Sequence, residues 1–145
     1  MIWNRLYEIE ELNDSPQQHL ATLLGIYFSE ITDNSLTAIM PVDERTRQPF
    51  GILHGGASVV LAETVGSVAS NLVCDDNFMG VGLEVNANHL RPVKDGYVKA
   101  VCTPIHMGTK THVWDIRIYD STGKMNCISR LTVAILPKTG AKSQE

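Results

Sequence analysis

Between residues 111 and 119 apolar and polar side chains alternate, with Trp114, Ile116 and Ile118 interleaved with Asp115, Arg117 and Tyr119. A period of two predicts a strand with one packed face and one wetter face. Leu36, Ala38, Met40 and Val42 share one face of a second such run, 36–42, which follows a run at 25–32 across the turn residues Asp33-Asn34. Three strand-like runs come later, at 79–91, at 97–105 with a continuation into 111–119, and at 124–136. Asp95-Gly96 and Ser121-Thr122-Gly123 are hairpin signals. Nearer the N-terminus, Ser15-Pro16 reads as a cap followed by proline at the first helical position, which predicts a short helix ending near Leu23. Charge, proline and glycine break the pattern over 43–51, as in a loop.

One long helical run remains, residues 54–74. Val59, Val60, Leu61, Val65, Val68, Leu72 and Val73 lie all round its circumference, which predicts a fully buried helix rather than an amphipathic one. Gly55, Gly56, Ala57, Ser58, Ala62, Gly66, Ser67, Ala69 and Ser70 leave room for neighbouring backbones to come close, at a cost in helix propensity. One such helix among antiparallel strands is an α+β arrangement, most simply a curved sheet wrapped around a single central helix. No repeat or linker divides the chain, so one domain is expected over 1–137, with the polar tail 138–145 frayed beyond Pro137.

The chain has 145 residues, enough for one domain with a real core, and a formal charge of −4 that argues against a nucleic-acid partner. No apolar run is expected to span a bilayer, and the start, Met1-Ile2-Trp3-Asn4-Arg5, lacks a signal-peptide core. A cytoplasmic location follows as the default. Cys74, Cys102 and Cys127 are odd in number and widely spaced, which reads as buried reduced thiols; no spacing among them or the five histidines suggests a metal site.

Against this background Glu63 is out of place. It lies in the middle of the apolar helix, with Val59 and Ser67 at i−4 and i+4, and no lysine or arginine occurs between Arg47 and Arg91. A carboxylate buried without a partner is costly, and such groups concentrate at functional sites. The alternative is a structural hydrogen bond to a backbone or a serine across a subunit interface. Ser67 lies one turn on, on the same face, although a helix serine often only packs or bonds back to its own helix. Upstream, Gln48-Pro49-Phe50-Gly51-Ile52-Leu53-His54-Gly55-Gly56 leads a loop into the helix N-terminus, where free N–H groups and the positive dipole end point outward. Such donors suit an oxyanion, whereas His-Gly-Gly alone could be a tight turn.

Taken together, Gln48, His54-Gly55-Gly56, Glu63 and Ser67 resemble the hotdog-fold thioesterases. The similarity runs from about residue 2 to residue 136. It is carried by Pro41-Val42-Asp43, Gln48-Pro49-Phe50-Gly51, Leu53-His54-Gly55-Gly56-Ala57-Ser58, Leu61-Ala62-Glu63, Gly66-Ser67-Val68-Ala69, Asn86-Ala87-Asn88-His89-Leu90-Arg91-Pro92 and Ser129-Arg130-Leu131. Within the family it is similar to the branch with the phenylacetate-pathway and 4-hydroxybenzoyl-CoA thioesterases, and most to enzymes acting on 1,4-dihydroxy-2-naphthoyl-CoA in menaquinone synthesis. Proofreading thioesterases of enterobactin synthesis are near relatives.

The resemblance implies an acyl-CoA substrate with an aromatic acyl group, or an aroyl carrier protein. It implies that Glu63 is the nucleophile or general base and that the Gly55 N–H polarises the carbonyl. Gln48 and His54 would orient the carbonyl and sulfur side, Ser67 would position water or the aryl group, and Val68 would line the acyl pocket. Substrate contacts are implied for Gly82, for His89, Leu90, Arg91 and Pro92, and for His106, Met107, Gly108, Thr109, Lys110 and Thr111. The site would straddle a homodimer, commonly one half of a dimer of dimers, with no metal or redox cofactor. Two other classes keep the fold: a hydratase, which would carry a different histidine loop, and a non-catalytic acyl-CoA-binding protein, which would need neither Glu63 nor Gln48.

Overall fold

Residues 1–139 are described by a computed structural model. The alternating segment becomes β5 (Thr111–Asp120), whose Trp114, Ile116 and Ile118 are fully buried, as the period of two predicts. Around it are β1 (Tyr27–Ile31), β2 (Leu36–Pro41), β3 (Phe78–His89), β4 (Tyr97–Met107) and β6 (Met125–Pro137). All pairings are antiparallel, in the order β1-β2-β4-β5-β6-β3. The long helix, α3 (Gly55–Val73), packs against β2, β3, β4, β5 and β6, so the sheet curls round it as expected. Gly66 permits the close approach: a Cβ there would lie 2.5 Å from Leu131 Cδ2.

Several expectations are corrected. The helix predicted from Ser15 to Leu23 is reduced to its last turn, α2 (Leu20–Leu23), capped by His19, while Ser15 Oγ donates to the Gln17 carbonyl (3.1 Å) in a bend. Another short helix, α1 (Ile9–Asn13), precedes it; Asn13 is tied to β1 by accepting from the Phe28 N–H (2.7 Å) and donating to the Phe28 carbonyl (2.8 Å). Asp95-Gly96 is a turn, with Gly96 at φ 76°, but the strands on either side of it are not neighbours. It delivers β4 to β2 instead, and the Val42 N–H donates to the Gly96 carbonyl (2.9 Å). The run through 97–119 is two strands joined at Gly108, whose N–H donates to the Thr111 carbonyl (2.8 Å). Pro104 is tolerated in β4 because β2 pairs with it only as far as Cys102. The Ser121-Thr122-Gly123 hairpin forms as predicted.

α3 is also not buried all round. Leu61, Ala62, Val65, Gly66 and Ala69 face the sheet, while Val60, Glu63, Thr64, Ser67 and Val68 are half-buried and Asn71 is exposed. By length and composition alone its 19 residues could cross a bilayer. Its place against five strands makes it the core helix instead. The three cysteines are free and buried, and burial raises each thiol: Cys74, Cys102 well above the ordinary range, and Cys127 to about 11. Of the expected tail, the Lys138 N–H is tied to the Asn77 carbonyl (2.8 Å), and residues 140–145 lie outside the described range.

Candidate active site

The start of α3 is built from short-range hydrogen bonds. His54 is its N-cap, with an extended backbone, and its ring Nδ1 accepts from the Gly56 N–H (2.8 Å). In neutral His54 that leaves the other ring nitrogen, Nε2, carrying the proton and free to donate outward. The Ala57 and Ser58 N–H groups turn back to the His54 carbonyl, while the Gly55 N–H has no acceptor among the described residues. One unclaimed donor at the positive end of a 19-residue helix is what a developing oxyanion requires. Gly55 is sterically fixed as well: a Cβ there would stand 2.8 Å from His89 Nε2, so the histidine ring lies over the glycine.

These residues open on a cleft of about 380 Å³ that brings together six of the expected site residues: Gln48, Gly55, His89, Leu90, Arg91 and Pro92. Gln48 Oε1 accepts from the Phe50 N–H, which turns the side chain back over its own loop. Its amide NH₂ remains available as a donor.

Glu63, Ser67, Val68 and Gly82 lie elsewhere. Glu63 is half-buried on the open face of α3, and among the described residues its carboxylate has no ion pair. The carboxylate rests over Gly82 of β3, and a Cβ at Gly82 would collide with Glu63 Oε1. One turn beyond Ser67, Asn71 clamps the edge strand to the helix: its Oδ1 accepts from the Gly80 N–H (3.0 Å), and its Nδ2 donates to the carbonyls of Ser67 (2.8 Å) and Gly80 (3.3 Å).

Distances along the elements divide the expected residues into two groups. Eight helical residues separate Gly55 from Glu63, about 12 Å along the axis at 1.5 Å per residue. His89 pairs with Cys127 at one end of β6, and Thr111 pairs with Ala134 toward the other. Seven residues of strand put about 23 Å between the segments 89–92 and 106–111. The expected residues therefore fall into two groups, candidate half-sites. One holds Gln48, His54, Gly55 and His89–Pro92; the other holds Glu63, Ser67, Gly82 and the 106–111 hairpin.

The family profile described as the Thioesterase superfamily matches residues 50–127, which spans the helix, both glycines and Glu63. The chain belongs to the thioesterase superfamily. It is 52% identical over 136 residues to the 1,4-dihydroxy-2-naphthoyl-CoA hydrolase of Escherichia coli, covering 94% of this chain and 100% of that one. It is 48% identical over 136 residues to the proofreading thioesterase EntH of Cronobacter sakazakii, covering 94% and 99%. Among solved structures, a mutant of thioesterase PA1618 from Pseudomonas aeruginosa superposes with a TM-score of 0.92 at 54% identity, covering 94% of this chain and 99% of that one. This thioesterase thus has the hotdog architecture that its sequence suggested.

Two polar features of the thioesterase were not found by sequence reasoning. Ser70 is fully buried, accepts from the Trp114 indole N–H (2.7 Å), and has its Oγ 3.0 Å from His112 Nδ1, so α3 is bonded to β5 inside the core. Burial, with His106 nearby, lowers the His112 pKa by disfavouring the charged imidazolium. Asn126 lines the cleft beside Ser58, and its Oδ1 is the single buried side-chain oxygen or nitrogen without a hydrogen bond among the described residues. Neither has a short-range sequence signature, because their partners lie on other elements.

Proposed function

We propose that this thioesterase hydrolyses an acyl-CoA with a small aromatic acyl group, 1,4-dihydroxy-2-naphthoyl-CoA being favoured, at sites shared between two copies of the chain. The observation that carries this reading is the separation of the half-sites. A carbonyl held by the Gly55 N–H is out of reach of Glu63 in the same chain, but a two-fold pairing brings unlike halves together. β3 is the element suited to that pairing. It is a 12-residue edge strand whose Phe78, Met79, Val81 and Leu83 are exposed, Leu83 to 63%. Antiparallel pairing of β3 with its copy runs the His89 end of one chain beside the Phe78 end of the other. That sets Gln48 and Gly55 of one copy near Glu63, Ser67 and Gly82 of its partner.

In the assembled site the Gly55 N–H donates a hydrogen bond to the carbonyl oxygen as negative charge develops on it, an effect of about 3–4 kcal/mol for a donor of this kind. Gln48 and His54 orient the carbonyl and the departing sulfur, while Ser67 and Val68 receive the acyl group. Glu63 provides the carboxylate, either attacking the carbonyl carbon or drawing a proton from the attacking water. Arg91 and Lys110 supply cations for the CoA phosphates in an otherwise acidic chain. A dimer of dimers and a cytoplasmic location complete the reading; free buried thiols suit a reducing compartment. The 48% identity to a proofreading thioesterase supports aroyl carrier proteins as a second substrate class.

The test is thiol release from a panel of acyl-CoA and acylated carrier-protein thioesters by the wild-type chain and Glu63→Gln. Aroyl-CoA turnover by the wild type and its loss by orders of magnitude in a folded variant are expected. Near-normal turnover in Glu63→Gln removes the catalytic assignment.

A further inference from the structure

Asn126 has no role in the site described above, yet it carries an unresolved cost. The residue is 3% exposed, and its buried Oδ1 has no hydrogen bond among the described residues. An amide oxygen in that state loses its hydration and gains nothing in return, and such groups are rare in folded proteins. The backbone at this point is well anchored: the Leu90 N–H donates to the Asn126 carbonyl (2.8 Å), and the next residue, Cys127, pairs with His89. Position 126 is therefore locked beside the 89–92 segment, and its side chain forms part of the cleft that also holds Gln48, Ser58 and Gly55.

We propose that Asn126 is a specificity-determining residue whose side-chain oxygen accepts a hydrogen bond from an amide N–H of the substrate's pantetheine arm; the inference rests on the thioesterase reading of the same cleft. The terminal amide torsion of asparagine is soft and close to two-fold, so the oxygen can turn to a donor entering the cleft. Turning it breaks no hydrogen bond of that oxygen among the described residues. The chemistry of the ligand agrees. The first amide N–H of pantetheine lies two methylenes from the sulfur, so a thioester carbonyl held at Gly55 keeps that donor within reach of the same cleft. A substrate without an amide offers that oxygen no donor. Asn126 thus favours CoA and carrier-protein thioesters, which share this arm, over simple alkyl thioesters.

The experiment compares one aroyl group on pantetheine and on ethanethiol, with the full chain as wild type, Asn126→Leu and Asn126→Ala. Loss of one hydrogen bond is expected to raise KM for the pantetheine ester about tenfold. The kcat for both esters and KM for the ethanethiol ester should stay at wild-type values. Asn126→Leu should also raise Tm, because an unpaired buried oxygen is replaced by methyl groups; Asn126→Ala keeps the kinetic comparison available if leucine does not pack. An unchanged KM for the pantetheine ester, or an equal rise for both esters, overturns the proposal and leaves the thioesterase reading intact. A wild-type chain that releases thiol from neither ester overturns both.

Discussion

Two glycines two residues apart on β3 should respond in opposite ways to the same substitution. At Gly82 an added methyl group would collide with Glu63 Oε1 and come 3.4 Å from Glu63 Cδ. The obstacle is the end of a flexible side chain with no ion pair to hold it among the described residues, so the fold gives way cheaply by moving the carboxylate. Restoring an ordinary contact takes a shift of about 1 Å, and misplacement on that scale can cost a reaction roughly 100-fold. Gly82→Ala is therefore expected to lower kcat about 100-fold while stability stays within about 0.5 kcal/mol of wild type. At Gly80 the methyl group would stand 2.9 Å from both Ser70 Cβ and Val133 Cγ1, atoms fixed by the helix and by β6. Overpacking against atoms that cannot swing aside costs about 1–3 kcal/mol, so Gly80→Ala should lower the urea midpoint and leave kcat per folded molecule largely unchanged. Thiol-release kinetics and urea melts on both variants make the comparison. A Gly82→Ala enzyme with wild-type kcat refutes the reasoning, as does one whose loss of rate follows its loss of stability.

Three other outcomes follow from the core. Ser70→Ala removes the acceptor of the Trp114 indole N–H and the partner of His112 Nδ1, which should cost about 2–4 kcal/mol in urea unfolding. His112 holds its proton less tightly in the folded chain than in the unfolded one, so the unfolded state binds more protons as pH falls through about 6.5. Stability should decline below that pH, and His112→Asn should flatten this part of the pH profile, as followed by thermal melts. With the Cys127 thiol pushed up to about 11, roughly one molecule in a thousand holds its thiolate at pH 8. Iodoacetamide should accordingly leave Cys74, Cys102 and Cys127 unmodified in the folded chain and alkylate all three in denaturant, as read by mass spectrometry.

What the sequence made legible depended on how local the signal was. α3 and β5 stand out because a single period runs through each, and His54-Gly55-Gly56 marks the helix start because a cap and its donors are neighbours in the chain. Glu63 stood out for the same reason, as a charge at an apolar helical position. Pairing partners were not legible. Asp95-Gly96 has the chemistry of a hairpin turn, yet β4 leaves it for β2, and β3 crosses to β6, because turn residues fix a local bend and not the neighbour. Ser15-Pro16 misled in the same way: a good cap does not create a helix when the residues after it have no apolar face to bury. The openness of the Glu63 face could not be read from composition either. Valines all round α3 suggest full burial, whereas the sheet of one chain covers one side only. Asn126 gave no signal because an unpaired oxygen is a property of the packed structure.

The proposed division into half-sites makes one measurement decisive. Glu63→Gln and Gln48→Ala chains, each inactive alone, are unfolded together, refolded as a mixture and assayed for thiol release from an aroyl-CoA. Half of the pairs formed are mixed, and each mixed pair carries one intact site and one doubly altered site, so about a quarter of wild-type activity should return. If Glu63 and Gln48 act within one chain, every site in the mixture lacks one of them, and activity stays at the level of the separate variants.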